Sequence, residues 1–187
     1  MTMGRTECVT LRGADRLRTG CKRYGPGRLP HADRPAIGAG YAGASAALVA
    51  AATFAVAVVA LEVVGVSDNV YGFAIFAAFA LPFVVPAAFV AGVVSWRAVP
   101  ATVPGSGVVA GALGTLLTYV GATVLLACLM LVAAVASWNN GGATDTAMAA
   151  AVIGWLAFLL TSWITLPVGC LGGVIYGRVG IGPADGR

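Results

Sequence analysis

Charged side chains are scarce in this sequence. Lys, Arg, Asp and Glu make up 10% of the 187 residues, whereas hydrophobic residues make up 59%. A soluble domain carries roughly a quarter charged residues, so the few charges here cannot cover the surface of an 18.7 kDa water-soluble globule. The composition therefore argues against a soluble enzyme, a nucleic-acid-binding protein and a wholly disordered chain. It indicates an integral membrane protein whose main partner is the lipid bilayer.

The groups that perform most protein chemistry are also scarce. The single histidine, His31, lies in the N-terminal segment, where Cys8 and Cys21 have neither CxxC spacing nor a second histidine beside them. A zinc site is therefore not indicated. The sequence contains no GxxxxGK[ST], GxSxG or HExxH motif, and no GxGxxG follows a strand. We predict a protein that is not an enzyme and that has no cofactor, metal site or nucleic-acid partner.

Long uncharged stretches are what the sequence does have. Arg34 and Glu62 enclose 27 uncharged residues, Asp68 and Arg97 enclose 28, and Asp145 and Arg178 enclose 32. Each stretch exceeds the roughly 20 residues that cross a bilayer as a helix. A fourth uncharged stretch, between Arg97 and Asp145, has turn-forming residues at both ends. The sequence thus predicts an all-α, integral membrane four-helix bundle with helices over about 38–64, 70–95, 107–137 and 147–177.

Basic residues predict the orientation of this bundle. Residues 1–40 hold eight of the eleven Lys and Arg residues and have a net charge of +5, whereas the rest of the chain has a net charge of −1. Placing both termini in the cytoplasm puts all eleven basic residues inside, as the positive-inside rule requires. We therefore predict a multi-pass protein of the cytoplasmic (cell) membrane. Its domains are a disordered basic tail over 1–36, a membrane domain over 37–178 and a short cytoplasmic tail over 179–187.

Two segments of the sequence resemble each other and suggest a duplicated hairpin. The segment from Pro86 to Arg97 aligns without gaps on the segment from Pro167 to Arg178, with Pro, Gly, Val and Arg coinciding. The first and third helices also begin alike, with Gly38 matching Gly105. Because both hairpins would start and end on the same side of the membrane, they would form a parallel repeat. Chance similarity among small residues is the alternative interpretation.

Small residues recur every three or four positions along the last two predicted helices. Such spacing places them on one helix face, and small residues allow membrane helices to approach closely. We interpret these faces as packing surfaces within the monomer, with a homo-oligomer contact or a solute-lining face as alternatives. The predicted packing residues are Gly107, Gly111, Gly114, Gly121, Thr165, Gly169, Gly173 and Gly177.

Three prolines and one tyrosine stand out within the predicted spans. Pro82, Pro86 and Pro167 each remove a helical hydrogen bond, so we expect helix kinks there. The phenol of Tyr119 lies near the middle of the membrane and needs a polar partner. At the matching depth of the fourth helix, Thr161 and Thr165 are its candidate partners.

These patterns leave two functional hypotheses open. The first is a non-enzymatic scaffold or accessory subunit of a membrane complex, because the spans hold few polar groups. The second is a transporter or channel for a small uncharged or apolar solute, in which threonine and glycine faces and proline bends line the path. Because four helices leave little room for a lumen, we expect such a transporter to act as a homo-oligomer. Glu62, the deepest carboxylate, is either a binding group or an interfacial residue.

Overall fold

Four long helices account for nearly all of the described chain. The computed structural model describes residues 34–65, 71–100, 105–136 and 142–180. The helices are α1 (Pro35–Val63), α2 (Tyr71–Ala98), α3 (Ser106–Ala136) and α4 (Ala143–Gly180), and the described residues include no strand. All four are long and apolar enough to cross a membrane. The predicted all-α four-helix fold is confirmed. Most of the basic tail, with Cys8, Cys21 and His31, lies outside the described residues.

The helices start and end within four residues of the predicted bounds, and most of them extend further than predicted. Pro35 occupies the first turn of α1, where its fixed backbone angle favours helix initiation. Arg97 lies in the last turn of α2 and Asp145 in the first turn of α4. Charges of these signs stabilise those helix ends. An uncharged stretch of sequence therefore marks the part of a helix that crosses the hydrocarbon. The helix itself extends beyond the charged residue that bounds this stretch, as at Arg97 and Asp145.

The bundle is built from two antiparallel hairpins. Helices α1 and α2 form the first hairpin and α3 and α4 form the second, and each pair packs along an extensive interface. Contacts of α2 with α3 and of α1 with α4 close the bundle, whereas the Cα atoms of α2 and α4 stay more than 8 Å apart. We call the end where α1 begins and α4 ends the proximal end, and the opposite end the distal end.

Aromatic side chains connect three helices at the proximal end. The hydroxyl of Tyr176 donates a hydrogen bond of 2.6 Å to the Pro35 carbonyl oxygen, which joins α4 to the start of α1. The ring of Trp96 meets the ring of Tyr176 edge-on, with a centroid distance of 4.8 Å. The start of α1 and the ends of α2 and α4 therefore form one cluster.

Small side chains form the interior, and large apolar side chains cover the outside. Among the described residues, seven of the nine buried hydrophobic ones are alanines, and no large side chain is fully buried. In contrast, Val135 is 71% exposed, Val132 65% and Trp163 64%. Water would strongly disfavour such a surface, whereas lipid tails are as apolar as these side chains. The chain has the architecture of a multi-pass membrane protein.

Candidate functional site

The two helices of the first hairpin meet at backbone distance near the proximal end. A Cβ atom on Gly92 would lie 2.6 Å from the carbonyl oxygen of Ala39, and one on Gly43 would lie 2.7 Å from that of Ala88. Real Cβ atoms do not approach other atoms so closely. Glycine at these two positions is therefore what allows α1 and α2 to pack this tightly.

The second hairpin is joined in the same way. A Cβ atom on Gly107 would lie 2.7 Å from the carbonyl oxygen of Gly173, and a Cβ atom on Gly173 would overlap the carbonyl oxygen of Gly107. One turn further in, a Cβ atom on Gly111 would overlap the carbonyl oxygen of Gly169. The structure thus brings four of the predicted packing residues together in one interface.

Two close contacts of the first interface recur in the second. The contact of Gly43 with Ala88 in the first hairpin corresponds to that of Gly111 with Gly169 in the second. Likewise, the contact of Gly92 with Ala39 corresponds to that of Gly173 with Gly107. Every pair obeys the same two offsets, 68 residues for the first helix and 81 for the second. The second offset is the one that the sequence predicts, whereas the first differs by one residue from the predicted match of Gly38 with Gly105. The contacts therefore support a repeated hairpin.

The remaining predicted packing residues have other surroundings. A Cβ atom on Gly114 would lie 3.2 Å from the Ser95 hydroxyl oxygen, and one on Gly121 would lie 3.3 Å from the Ala87 Cβ atom. Both neighbours belong to α2, so the glycine face of α3 is shared between α2 and α4. A Cβ atom on Gly177 would make only an ordinary contact, 3.8 Å from the Gly107 Cα atom.

The three prolines lie on the outer surface. Pro82, Pro86 and Pro167 are all exposed, and the helices continue through them. None of the three lines the cavity described below. The expectation of an oligomeric solute path lined by proline bends stays a prediction, and these rings face outward from the bundle.

A cavity of about 690 Å³ lies between the two hairpins and is lined by all four helices. Its volume falls within the range of roughly 300–1,000 Å³ that is common for small-molecule sites. It is a cleft that is open along part of its wall rather than a closed chamber. An open cleft is not an enclosed lumen, so the expectation of a homo-oligomeric path stays a prediction. The small side chains on the facing helices leave the space that larger ones would fill.

The chemistry of the cavity differs between its two walls. The second hairpin supplies a group of hydroxyls that we call the hydroxyl belt: Thr115, Thr118, Tyr119, Thr123, Thr161 and Thr165. The first hairpin supplies alanines and a group of rings that we call the phenylalanine wall: Phe54, Phe73, Phe76, Phe79 and Phe83. Of the residues that the structure describes, no acidic, basic or histidine side chain lines the cavity. The site is therefore uncharged, largely apolar and polar on one side only.

Tyr119 is the centre of the hydroxyl belt. Its hydroxyl oxygen lies 2.6 Å from the hydroxyl oxygens of both Thr161 and Thr165. The predicted partners of this phenol are thus confirmed. The Tyr119 ring also meets the Phe158 ring edge-on, with a centroid distance of 5.1 Å, which fixes its direction.

The other hydroxyls of the belt donate to carbonyl oxygens of their own helix. Thr115 donates to Gly111 at 2.9 Å and Thr118 donates to Gly114 at 2.7 Å. Thr123 donates to the Tyr119 carbonyl oxygen at 2.8 Å. Such bonds are common for threonine in helices. The Thr115 and Thr123 oxygens also pack against Gly169 and Gly154 of α4.

Other candidate groups from the sequence stay apart from the cavity. Glu62 is half-buried near the end of α1, and its Oε2 atom is buried without a hydrogen-bond partner among the described residues. Cys128 and Cys170 are free thiols. Within the four described segments, no three His, Cys, Asp or Glu side chains lie close enough to hold a metal ion.

Sequence reasoning missed the glycines of the first hairpin and the phenylalanine wall. Gly92 could have been found, because the duplication aligns it with Gly173. The wall could also have been found, since Phe73, Phe76 and Phe83 are spaced so that they share one helix face. What the spacing could not show is that this face borders a cavity rather than lipid.

Comparison with protein-family models, with curated proteins and with solved structures gives no match for this chain. A functional conclusion therefore rests on the geometry and chemistry of the cavity.

Proposed function

We propose that this chain is a membrane protein that binds an uncharged, largely apolar molecule between its two hairpins and carries it within or across the bilayer. The observation that carries the proposal is the cavity of about 690 Å³, which all four helices line without a charged side chain. An ion would find no counter-charge there, and burying it would cost several kcal/mol. A neutral molecule would replace lipid tails or water against the phenylalanine wall at no such cost.

Unequal packing supports a carrier that works by movement of one hairpin against the other. Within each hairpin, helix backbones touch at glycines such as Gly92 and Gly173. Between hairpins, the glycines Gly114 and Gly121 meet the side chains of Ser95 and Ala87 instead. Side-chain contacts can slide or re-pack more easily than interlocked backbones. Each hairpin would therefore move as a unit and widen the cleft.

The distribution of basic residues supports an orientation with the proximal end in the cytoplasm and a location in the cell membrane. Eight of eleven Lys and Arg residues precede α1 or occupy its N-cap, and the others, Arg97, Arg178 and Arg187, follow α2 or α4 or lie in their last turns. All of them then lie on the side that the positive-inside rule favours. This side would also receive or release the bound molecule at the Trp96–Tyr176 cluster.

A photoreactive probe tests the proposal. An uncharged alkane bearing a diazirine is added to the protein in lipid nanodiscs and activated by light, and the labelled peptides are identified by mass spectrometry. We expect labelling of the α3 segment around Tyr119, which faces the cavity. Ala80→Trp places an indole in the cavity and should reduce this labelling several-fold, because Ala80 lines it.

Ala78→Trp is the matched control. Ala78 lies on the same helix two residues away, is exposed and does not line the cavity. This variant should label at Tyr119 like the unchanged protein. Equal labelling of all three proteins at Tyr119, or labelling of outward-facing residues alone, would contradict the proposal.

A second candidate function is a scaffold or accessory subunit of a membrane complex, in which the chain meets a partner protein or further copies of itself. Trp155 and Trp163 favour it, because they are 62% and 64% exposed well inside α4. Tryptophan normally gathers at the membrane interfaces instead. Trp155→Leu and Trp163→Leu together should then abolish co-purification of a partner from native membranes. Retention of every co-purifying protein would contradict this candidate.

A further inference from the structure

We propose that the cavity selects molecules with a hydrogen-bond donor on their polar end, such as long-chain alcohols, over equally apolar molecules that can only accept. This inference deepens the proposed function and rests on it. It rests on which oxygen accepts the proton of each hydroxyl in the belt.

The Tyr119 hydroxyl has one proton for two short contacts. Tyr119 has one hydroxyl proton, yet its oxygen lies 2.6 Å from the oxygens of both threonines. It can donate to only one of them, so the other must donate to Tyr119. A threonine that donates to Tyr119 gives up the bond to its own helix.

Distances indicate which threonine turns toward Tyr119. Thr161 lies 2.7 Å from the Ala157 carbonyl oxygen, whereas Thr165 lies 3.1 Å from the Thr161 carbonyl oxygen. The longer bond is the weaker one and is given up first. We therefore assign a directed chain in which Thr165 donates to Tyr119, Tyr119 donates to Thr161, and Thr161 donates to the Ala157 carbonyl oxygen.

No hydroxyl of the belt keeps a proton for a ligand. Three protons are used in the directed chain, and those of Thr115, Thr118 and Thr123 go to carbonyl oxygens of α3. Ser95, nearer the proximal end of the cavity, donates to the Gly92 carbonyl oxygen. Each hydroxyl oxygen has two lone pairs, but the Thr115 and Thr123 oxygens pack against Gly169 and Gly154 of α4. Thr118 and the Tyr119 cluster are therefore the acceptors for a ligand. The belt is therefore a cluster of acceptors in an apolar cleft.

This cluster treats donors and acceptors differently. An alcohol can donate its proton to a free lone pair and break nothing. An ether or a ketone must first pull a proton away from an existing bond. One net hydrogen bond corresponds to about fivefold in affinity, which is the preference we expect.

The shape of the cavity suits a long chain beneath such a head group. Along α2, lining residues run from Phe73 to Trp96, which is about 35 Å at the rise of an α-helix. The belt extends inward from the proximal part of the cavity, since Gly114 meets Ser95 and Gly121 meets Ala87. The phenylalanine wall lies on its distal side. A hydroxyl at the belt would leave its hydrocarbon tail against the aromatic rings.

Two isomers of equal size test the inference. Hexadecanol has a donor, whereas pentadecyl methyl ether has the same atoms but can only accept. Binding of tritiated hexadecanol to the protein in nanodiscs is measured against empty nanodiscs, and each unlabelled isomer is used as competitor. We expect hexadecanol to compete about fivefold better than the ether.

Substitutions in the hydroxyl belt test whether it causes the preference for hexadecanol over the ether. Tyr119→Phe removes the central oxygen and should bring the two competitors close to equality, and Thr118→Val provides a second variant if Tyr119→Phe does not fold. Thr53→Val is the matched control, because Thr53 is exposed on α1, donates to the Val49 carbonyl oxygen and does not line the cavity. It should keep the full preference.

The outcomes separate this inference from the function on which it rests. If both isomers compete equally and Ala80→Trp abolishes binding, the cavity binds apolar molecules but the donor preference is wrong. A tighter-binding ether would also overturn the preference, as would an unchanged preference in Tyr119→Phe and Thr118→Val. If the protein binds no more hexadecanol than empty nanodiscs do, the proposed function fails together with the inference.

Discussion

Glycines of one helix face differ sharply in what a methyl group would meet. At Gly173 a Cβ atom would overlap the backbone carbonyl oxygen of Gly107, whereas at Gly177, one turn later, it would lie 3.8 Å from the nearest atom of another helix. The sequence presents both as members of the same four-residue repeat. Which member of a repeat is tightly packed depends on where the partner helix crosses, and a single sequence does not contain that distance.

This difference gives a prediction for two matched variants. Gly173→Ala forces two backbones apart and should destabilise the protein by about 1–3 kcal/mol, as overpacked sites do. Gly177→Ala fits without a clash and should be neutral or stabilising by up to about 1 kcal/mol, because alanine favours helix. Thermal unfolding in a mild detergent measures both. Equal melting temperatures for the two variants would contradict the backbone contact.

At the scale of the helices, the uncharged stretches were sufficient to predict their number and approximate bounds. They were not sufficient at the charged ends, since α2 and α4 continue through Arg97 and Asp145 with favourable interactions with the helix dipole. The duplication likewise predicted the match of Gly92 with Gly173 but misplaced the first helix of the repeat by one residue. Matches among Ala and Gly carry too little information to fix a register there, whereas backbone contacts fix it.

Because the two hairpins share equivalent contacts, substitution of Gly92 should affect stability as substitution of Gly173 does. Gly92→Ala would bring its Cβ atom to 2.6 Å from the Ala39 carbonyl oxygen. We expect a loss of stability similar to that of Gly173→Ala, about 1–3 kcal/mol, measured in the same detergent. Gly72→Ala is the control on α2, because no atom of another element lies within 4 Å of that position. A Gly92→Ala protein as stable as Gly72→Ala would argue against two equivalent interfaces.

For the whole molecule, composition alone indicated a bilayer protein, and the inside-out distribution of side chains agrees with it. The cavity, in contrast, could not be read from the sequence. Each of its alanines and threonines is an ordinary residue of a membrane helix, and only the relative placement of four helices leaves space between them. The same holds for the hydroxyl belt, where depth along the helices predicted the Tyr119 partners but not the opening beside them.

Chemical labelling tests the orientation. In a cysteine-free background, single cysteines replace Asp145 and Arg97, both of which are exposed at opposite ends of the bundle. A membrane-impermeant maleimide added to intact cells should label Asp145→Cys at once and Arg97→Cys only after the membrane is opened. The reverse pattern would mean that the proximal end faces outward, against the distribution of basic residues.

Native mass spectrometry of the protein extracted gently from its own membranes tests most directly whether the cavity holds a neutral molecule. We predict a species of one 18.7 kDa chain carrying an uncharged lipid-like adduct, which Ala80→Trp removes and Ala78→Trp retains. A bare chain in all three proteins, or an adduct that both variants retain equally, would contradict a binding site between the hairpins.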